Sequence, residues 1–187
     1  MKKFFISFIV LMLMNIAQAK EQLVIDSSLL NEAKKIPHTG RLSINLEHNG
    51  FVFLKVSQEF KTTLFPILYK NLNLKDKNCL VPNNNPEGIH ISIFSPKSLT
   101  TEQIKQLPIG RDFDFYISSI MKFSKKRADG SNVDWYVLKV DSEEIDKIRK
   151  KFIPSLVTTD HLHISMALSK YDNEGKCSCM CELLLMN

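Results

Sequence analysis

The chain has 187 residues, a length that allows one domain with a sizeable core and excludes two domains of ordinary size. Its formal net charge is +5, and without the two lysines at the extreme N-terminus 23 basic residues stand against 20 acidic ones. This balance suits an anionic substrate but argues against a protein that wraps nucleic acid through a dense basic surface.

The first 19 residues have the pattern of a signal peptide. Lys2 and Lys3 precede an apolar run, and Ala17 and Ala19 form a small-x-small cleavage pattern. The apolar run is shorter than the ~20 residues of a membrane-spanning helix, and no cysteine follows the cleavage site to take a lipid anchor. We expect residues 20–187 to form a single domain that is periplasmic or secreted, with no stable membrane span.

An Asn-Gly pair between two alternating segments predicts a β-hairpin, with strands at about residues 41–47 and 51–57. The apolar spacing of residues 58–72 predicts a helix, with a kink or boundary at Pro66. Residues 73–88 are rich in asparagine and proline and are expected to form a surface loop.

The second part of the chain alternates between predicted helices and strands. A short helix is expected within residues 98–107, and long strands are expected over 113–126 and 132–140. Residues 141–152 have acidic residues at the start, basic residues at the end and one apolar face, which predicts a helix. A last strand at 176–186 is expected to pair with the strand before it. The pattern is that of an α+β chain in two similar halves.

Each half contains the same tetrapeptide pattern, His-apolar-Ser-apolar, at residues 90–93 and 163–166. Side chains alternate between the two faces of a strand, so each histidine shares a face with its serine and the apolar residues point into the core. The residues predicted to share the polar face are His90, Ser92, His163 and Ser165.

Two imidazoles and two hydroxyls that converge on one cleft suit chemistry at phosphorus. A neutral histidine can take a proton from the attacking oxygen while a protonated one donates to the leaving oxygen. The serine hydroxyls can donate hydrogen bonds to the non-bridging phosphate oxygens. This scheme needs no metal or other cofactor, and it predicts a bell-shaped dependence of rate on pH.

The paired motifs, at this separation and each on a strand after a helix, resemble those of the two-histidine (2H) phosphoesterase superfamily, which includes RNA-ligase-like and cyclic phosphodiesterase proteins. The resemblance implies a bilobal α+β fold in which two antiparallel β-sheets form a central groove flanked by helices. It also implies hydrolysis of 2',3'-cyclic phosphates or 2',5'-phosphodiesters of nucleotides or RNA ends. His90 and His163 would then be the acid and base, and Ser92 and Ser165 would bind the phosphate.

The chain departs from the pattern of this superfamily in two ways. Many relatives carry threonine where this chain has serine, and the signal peptide is unusual because many relatives act on RNA inside cells. The protein is expected to be a monomer. The alternative function is that of a non-catalytic periplasmic protein that binds nucleotide or RNA in the same groove, or a soft metal.

Three further residues are candidates for the groove. His161 shares a strand face with His163, and Tyr116 and Trp135 are aromatic residues able to stack on a base. Each also has a simpler interpretation, as a solvated histidine at a strand end or as packing within the sheet. Residues 122–127 include four cations that could guide a phosphate backbone, although such a strand end is usually just solvated.

Four cysteines remain after the predicted signal peptide, namely Cys79, Cys177, Cys179 and Cys181. Export allows disulfides to persist, and cysteines two apart on one strand do not bridge easily. The preferred disulfide therefore joins Cys79 to one of the three C-terminal cysteines. The alternative is a soft-metal site made by these three thiols and His161, although their spacing is shorter than in structural zinc sites.

Overall fold

The structure is a computed structural model that describes residues 27–72, 74–127, 129–156, 161–172 and 174–177. The predicted signal peptide and most of the predicted C-terminal strand lie outside the described residues. No helix within the described ranges has the length and apolarity that crossing a membrane requires.

The described residues form an α+β fold. The helices are α1 (Ser27–Ala33), α2 (Glu59–Thr62), α3 (Leu64–Asn71), α4 (Leu74–Cys79), α5 (Thr101–Ile104) and α6 (Glu143–Phe152). The strands are β1 (Thr39–Asn45), β2 (Phe51–Lys55), β3 (Leu80–Pro82), β4 (His90–Phe94), β5 (Asp112–Asp114), β6 (Tyr116–Lys126), β7 (Asn132–Asp141) and β8 (His163–Tyr171).

The eight strands form one antiparallel sheet in the order β5-β1-β2-β4-β8-β7-β6, and β3 pairs with β8 beside this path. The expectation of two sheets is therefore not met among the described residues. The reason is that the two histidine strands, β4 and β8, are hydrogen-bonded neighbours in this sheet.

The join between β4 and β8 is narrow. Its register contains a single pair, Ile91 opposite Ile164, whereas the β7–β8 pairing continues along most of β8. The sheet thus has two parts that meet at one point. We call β5, β1, β2 and β4 the His90 half, and β3, β8, β7 and β6 the His163 half.

One hydrophobic cluster joins the helices to the sheet. Ile91 and Ile164 are fully buried in it, together with Phe60, Leu64 and Ile145 from three of the helices. The isoleucines between the histidine and serine of both motifs therefore anchor the two strands from beneath. This burial fixes which way the neighbouring polar side chains point, because a slip of one residue would exchange the two faces.

The predicted helix over residues 58–72 is divided at Thr63, and the boundary is not at Pro66 as expected. Pro66 is the third residue of α3, a position at which its missing N–H has no partner within the helix, so proline is tolerated there. The predicted loop at 73–88 is shorter than expected, since its first part forms α4 and β3.

Candidate functional site

The single β4–β8 pair sets the orientation of both motifs. Because Ile91 and Ile164 lie opposite each other and point into the core, the residues on either side of them point to the other face of the sheet. The antiparallel register aligns His90 with Ser165 along the two strands, and Ser92 with His163. A local two-fold relation between the motifs follows.

A hollow of about 340 Å³ opens over this face, a volume within the usual range for small-molecule sites. We call it the central hollow. Both histidines and both serines of the two motifs line it, so the sequence-predicted residues come together. Its lining residues are Asn83, Asn85, His90, Ser92, Phe123, Lys125, Trp135, His163 and Ser165.

Both imidazoles are held by the same hydrogen bond. Nδ1 of His90 lies 2.9 Å from the carbonyl oxygen of Gly88, and Nδ1 of His163 lies 3.0 Å from that of His161. A carbonyl oxygen can only accept, so Nδ1 carries the proton in both rings. In the neutral ring Nε2 is then a bare base, and in the protonated ring it is a donor. Either histidine can therefore exchange a proton through Nε2.

Gly88 is suited to its role by its backbone conformation. Its φ is +74°, in the left-handed region that glycine adopts without strain, and a Cβ there would lie 2.6 Å from Nε2 of Gln58. Glycine therefore lets the chain turn tightly just before β4 while its carbonyl reaches the His90 ring. The carbonyl of residue 161 accepts the corresponding hydrogen bond from His163, and this residue does not have a positive φ.

The aromatic surroundings of the two histidines differ. The His90 ring packs against the edges of Phe51 and Phe53, with centroid distances of 5.4 and 5.5 Å, and these two phenylalanine rings stack on each other at 5.2 Å. The His163 ring packs against Phe123 in a T-shaped arrangement with a centroid distance of 5.9 Å, and Phe123 stacks on Trp135 with an interplanar angle of 17°. Phe51 and Phe53 are buried, whereas Trp135 is half-buried and lines the central hollow.

Cationic side chains surround the histidines. Lys125 is exposed and lines the central hollow. Lys55 lies opposite His90 in the β2–β4 register, and Lys139 lies opposite His163 in the β7–β8 register. Residues directly opposite in an antiparallel pair share a face, so both lysines are on the side of the sheet that carries the hollow. Lys122 differs, because its ammonium is 2.9 Å from the carboxylate of Asp134.

The loop between β3 and β4 supplies two lining residues that the sequence did not identify. The Asn83 side-chain amide donates to the carbonyl of Ser165 at 3.0 Å, and its oxygen accepts from the backbone N–H of Asn85. The Asn85 oxygen accepts in turn from the N–H of Glu87. The run of three asparagines was the available signal, since asparagine stabilises turns through such bonds.

The other candidate groove residues are placed differently. Trp135 lines the central hollow, whereas His161 and Tyr116 are exposed and do not line it. His161 contributes through its backbone, as the acceptor for His163. Tyr116 begins β6, seven residues before Phe123, and is 71% exposed.

Cys79 forms a disulfide with Cys177. It links the end of α4, just ahead of β3, to the segment that follows β8, and so lies near the base of the asparagine loop. Cys179 and Cys181 lie outside the described residues. Within the described part of the chain, no cluster of three or more His, Cys, Asp or Glu side chains is arranged to hold a metal ion.

Comparison with protein-family models, curated proteins and solved structures finds no match for this chain.

Proposed function

We propose that this protein is an exported phosphodiesterase of the two-histidine type, which hydrolyses 2',3'-cyclic phosphates or 2',5'-phosphodiesters of nucleotides or RNA ends without a metal. The observation that carries the proposal is that His90, Ser92, His163 and Ser165 all line one hollow. The two halves of the sheet would be the two lobes of the family's fold, and the central hollow would be its groove.

Water attacks phosphorus in the proposed reaction, and one ribose oxygen leaves. The neutral histidine takes a proton from the water at Nε2, while the protonated histidine gives its Nε2 proton to the leaving oxygen. Each cycle thus consumes one water and leaves the protonation states of the two histidines exchanged. The first histidine then releases its proton to solvent and the second takes one up, which restores the starting state. The Nδ1 bonds to Gly88 and His161 support these roles, because they direct Nε2 away from the backbone.

The negative charge on the non-bridging oxygens grows as the attacking oxygen approaches. Ser92 and Ser165 are the neutral donors proposed to hold these oxygens, one from each strand. Lys125 adds positive charge at the wall of the central hollow, which favours an anionic substrate. Trp135, stacked on Phe123, offers an aromatic surface to a nucleobase on the same wall.

The test uses the purified chain without its first 19 residues, in EDTA, with 2',3'-cyclic nucleotides and 2',5'-linked dinucleotides as substrates. We expect turnover that persists in EDTA and falls by about 10²- to 10⁴-fold in His90→Ala and in His163→Ala. Ser92→Ala and Ser165→Ala should each cause a smaller loss.

His161→Ala is the matched control, because it removes an imidazole beside the site but keeps the backbone carbonyl that accepts from His163. It should retain nearly full activity. Full activity in either His90→Ala or His163→Ala would refute the assignment. Tight nucleotide binding by the unmodified protein without any turnover would instead favour the non-catalytic alternative.

A further inference from the structure

A second hollow, of about 430 Å³, lies beside the His90 half of the site. We call it the hairpin hollow. It is formed where the β1–β2 hairpin meets the end of the asparagine loop, and its lining residues are Ile44, Asn45, Leu46, Glu47, Phe53, Pro86 and Glu87.

The two hollows are neighbours. Phe53, which lines the hairpin hollow, has its ring centroid 5.5 Å from that of His90, which lines the central hollow. The chain that supplies Asn85 to the central hollow continues directly into Pro86 and Glu87 of the hairpin hollow. A group attached to a phosphate between the histidines can therefore extend past the His90 ring into the hairpin hollow.

The hairpin hollow combines apolar surface with negative charge. Leu46 is 72% exposed in it, and Ile44, Phe53 and Pro86 add further apolar surface. Glu47 is exposed, and Glu87 is the second carboxylate. No lysine or arginine is among its lining residues as the structure describes them. Lys55 lies at the opposite end of β2 from the hairpin turn.

Glu87 is held as a carboxylate. Its side chain is only 7% exposed, and one carboxylate oxygen accepts from the amide of Asn45 at 2.9 Å and lies 3.4 Å from Nδ1 of His48. Burial raises the pKa of the Glu87 carboxyl, but hydrogen bonds from its own backbone N–H, Asn45 and His48 outweigh that effect, so its pKa lies below the ordinary value. The hollow therefore keeps this negative charge at neutral pH.

The opposite wall of the site has the opposite sign. Lys125 and the Phe123–Trp135 pair lie on the His163 half, where they offer the central hollow a cation and an aromatic surface. A phosphodiester extends in two directions from its phosphorus. Further phosphates on the substrate are attracted where the chain extends toward Lys125, and they are repelled where it extends toward Glu47.

We propose that the hairpin hollow is a subsite for the second ester group of the substrate, and that it takes an uncharged or cationic group with apolar surface while rejecting a further phosphate. This inference rests on the proposed function. It predicts that the enzyme acts at a chain end of fixed polarity: the part of the substrate that carries additional phosphates lies toward Lys125, and the terminal nucleoside lies in the hairpin hollow.

The test compares three 2',5'-linked adenosine dimers: one unmodified, one with an added phosphate at its 5' end and one with an added phosphate at its 3' end. We expect one phosphorylated dimer to be cleaved at least as fast as the unmodified dimer. The other should lose about tenfold or more in kcat/KM, because like charges repel across the hollow.

Glu47→Lys should raise the ratio of kcat/KM for the disfavoured dimer to kcat/KM for the unmodified dimer by about tenfold or more, with Glu47→Gln intermediate. Glu174→Lys is the matched control: it makes the same charge change at a side chain that is 71% exposed in the turn after β8, and it should not alter the preference.

Equal cleavage of both phosphorylated dimers would overturn the inference and leave the proposed function intact. So would a Glu47→Lys variant that changes all three dimers alike. Failure to cleave any dimer or cyclic nucleotide would overturn the proposed function, and the inference with it.

Discussion

The two histidine strands have the same local design and different surroundings. In each, the ring donates from Nδ1 to the carbonyl two residues earlier, a buried isoleucine follows, and a serine comes next on the same face. The His90 ring, however, packs against a stacked pair of buried phenylalanines, beside a hollow with two carboxylates. The His163 ring packs against Phe123, whose partner Trp135 and neighbour Lys125 line the open site.

The different surroundings support the proposal that one short motif, used twice, serves two roles. The common part binds Nδ1 of each ring to a backbone carbonyl and so leaves Nε2 as the other nitrogen, and the surroundings set which side chains each ring meets. A displacement at phosphorus needs one group to accept a proton and another to donate one at the same pH. The proposed division of these tasks between the two histidines therefore has to come from their different neighbours.

The first prediction tests that division with a leaving group that needs no proton. We expect His90→Ala and His163→Ala to lose about 10²- to 10⁴-fold in kcat/KM on substrates with a ribose leaving group. On a p-nitrophenyl phosphodiester, the loss in kcat/KM should be smaller by about tenfold or more in only one of the two variants. The reason is that p-nitrophenolate leaves without the help of a general acid.

The measurement is the ratio of kcat/KM values for the two substrates in each variant, with His161→Ala as the reference. The variant that is rescued identifies the general acid. Equal rescue of both variants, or of neither, would contradict a fixed division of roles between the two histidines.

Local signals were sufficient to predict much of this fold and site. Turn residues and the spacing of apolar residues predict the β1–β2 hairpin, helix α6 and the face of the sheet on which each motif places its histidine. These signals depend only on residues that are neighbours in the chain. The asparagine-glycine turn is present with both residues in the left-handed region, at φ values of 52° and 75°. Strict alternation was enough to place the histidines and serines on one face of their strands.

The features that could not be predicted from the sequence depend on contacts between segments that are far apart in the chain. The direct pairing of β4 with β8 has a single register pair, between residues 73 apart in sequence, and nothing in either motif specifies it. Asn83 reaches the site by binding the backbone of Ser165, and Phe123 reaches His163 from a strand two places away in the sheet. The irregularity between Tyr136 and Val137, which shifts the register, likewise has no local signal.

The second prediction concerns the disulfide, which flanks the His163 half by joining the residue before β3 to the segment after β8. Cys79 and Cys177 are 98 residues apart in sequence, so the bond constrains a large loop of the unfolded chain. We expect Cys79→Ser to lower the free energy of unfolding by about 2–5 kcal/mol in urea titrations. Amide exchange should accelerate more in β3 and β8 than in β1 and β2.

Dithiothreitol should reproduce the loss in the unmodified protein and cause no further loss in Cys79→Ser. If reduction left the stability unchanged, or loosened β1 and β2 as much as β3 and β8, the bond would not hold the His163 half in the way its position indicates.

The third prediction tests whether Trp135, on the His163 half, binds the base of the substrate in a way that an aromatic residue outside the hollow does not. Trp135→Ala should reduce kcat/KM for nucleotide substrates by about 5- to 150-fold, which corresponds to the ~1–3 kcal/mol of one stacked base. Glycerol 1,2-cyclic phosphate, which has no base, should be unaffected. Tyr116→Ala is the matched control, because Tyr116 is an exposed aromatic residue on the same strand as Phe123 but outside the hollow. Equal losses on both substrates would mean that Trp135 only supports the sheet.

The fourth prediction addresses the link that holds the asparagine loop to the hairpin in the His90 half. Glu87→Gln weakens the hydrogen bonds to Asn45 and His48 and should cost about 1 kcal/mol of unfolding free energy at about pH 7. The pKa of the Glu87 carboxyl is lowered by folding from its ordinary value of 4.5. Its contribution to stability is therefore complete above that value and is lost as pH falls through the lower pKa of the folded state.

The stabilities of the unmodified protein and Glu87→Gln should therefore converge as pH falls from about 7 to about 3, as followed by urea unfolding at each pH. Glu47→Gln removes an exposed carboxylate from the same hairpin and should show no comparable convergence. A difference between the unmodified protein and Glu87→Gln that stays constant with pH would mean that the charge of Glu87 does not hold the loop. The position of His90 would then depend on its hydrogen bond to Gly88 and on packing against Phe51 and Phe53, without a contribution from the charge of Glu87.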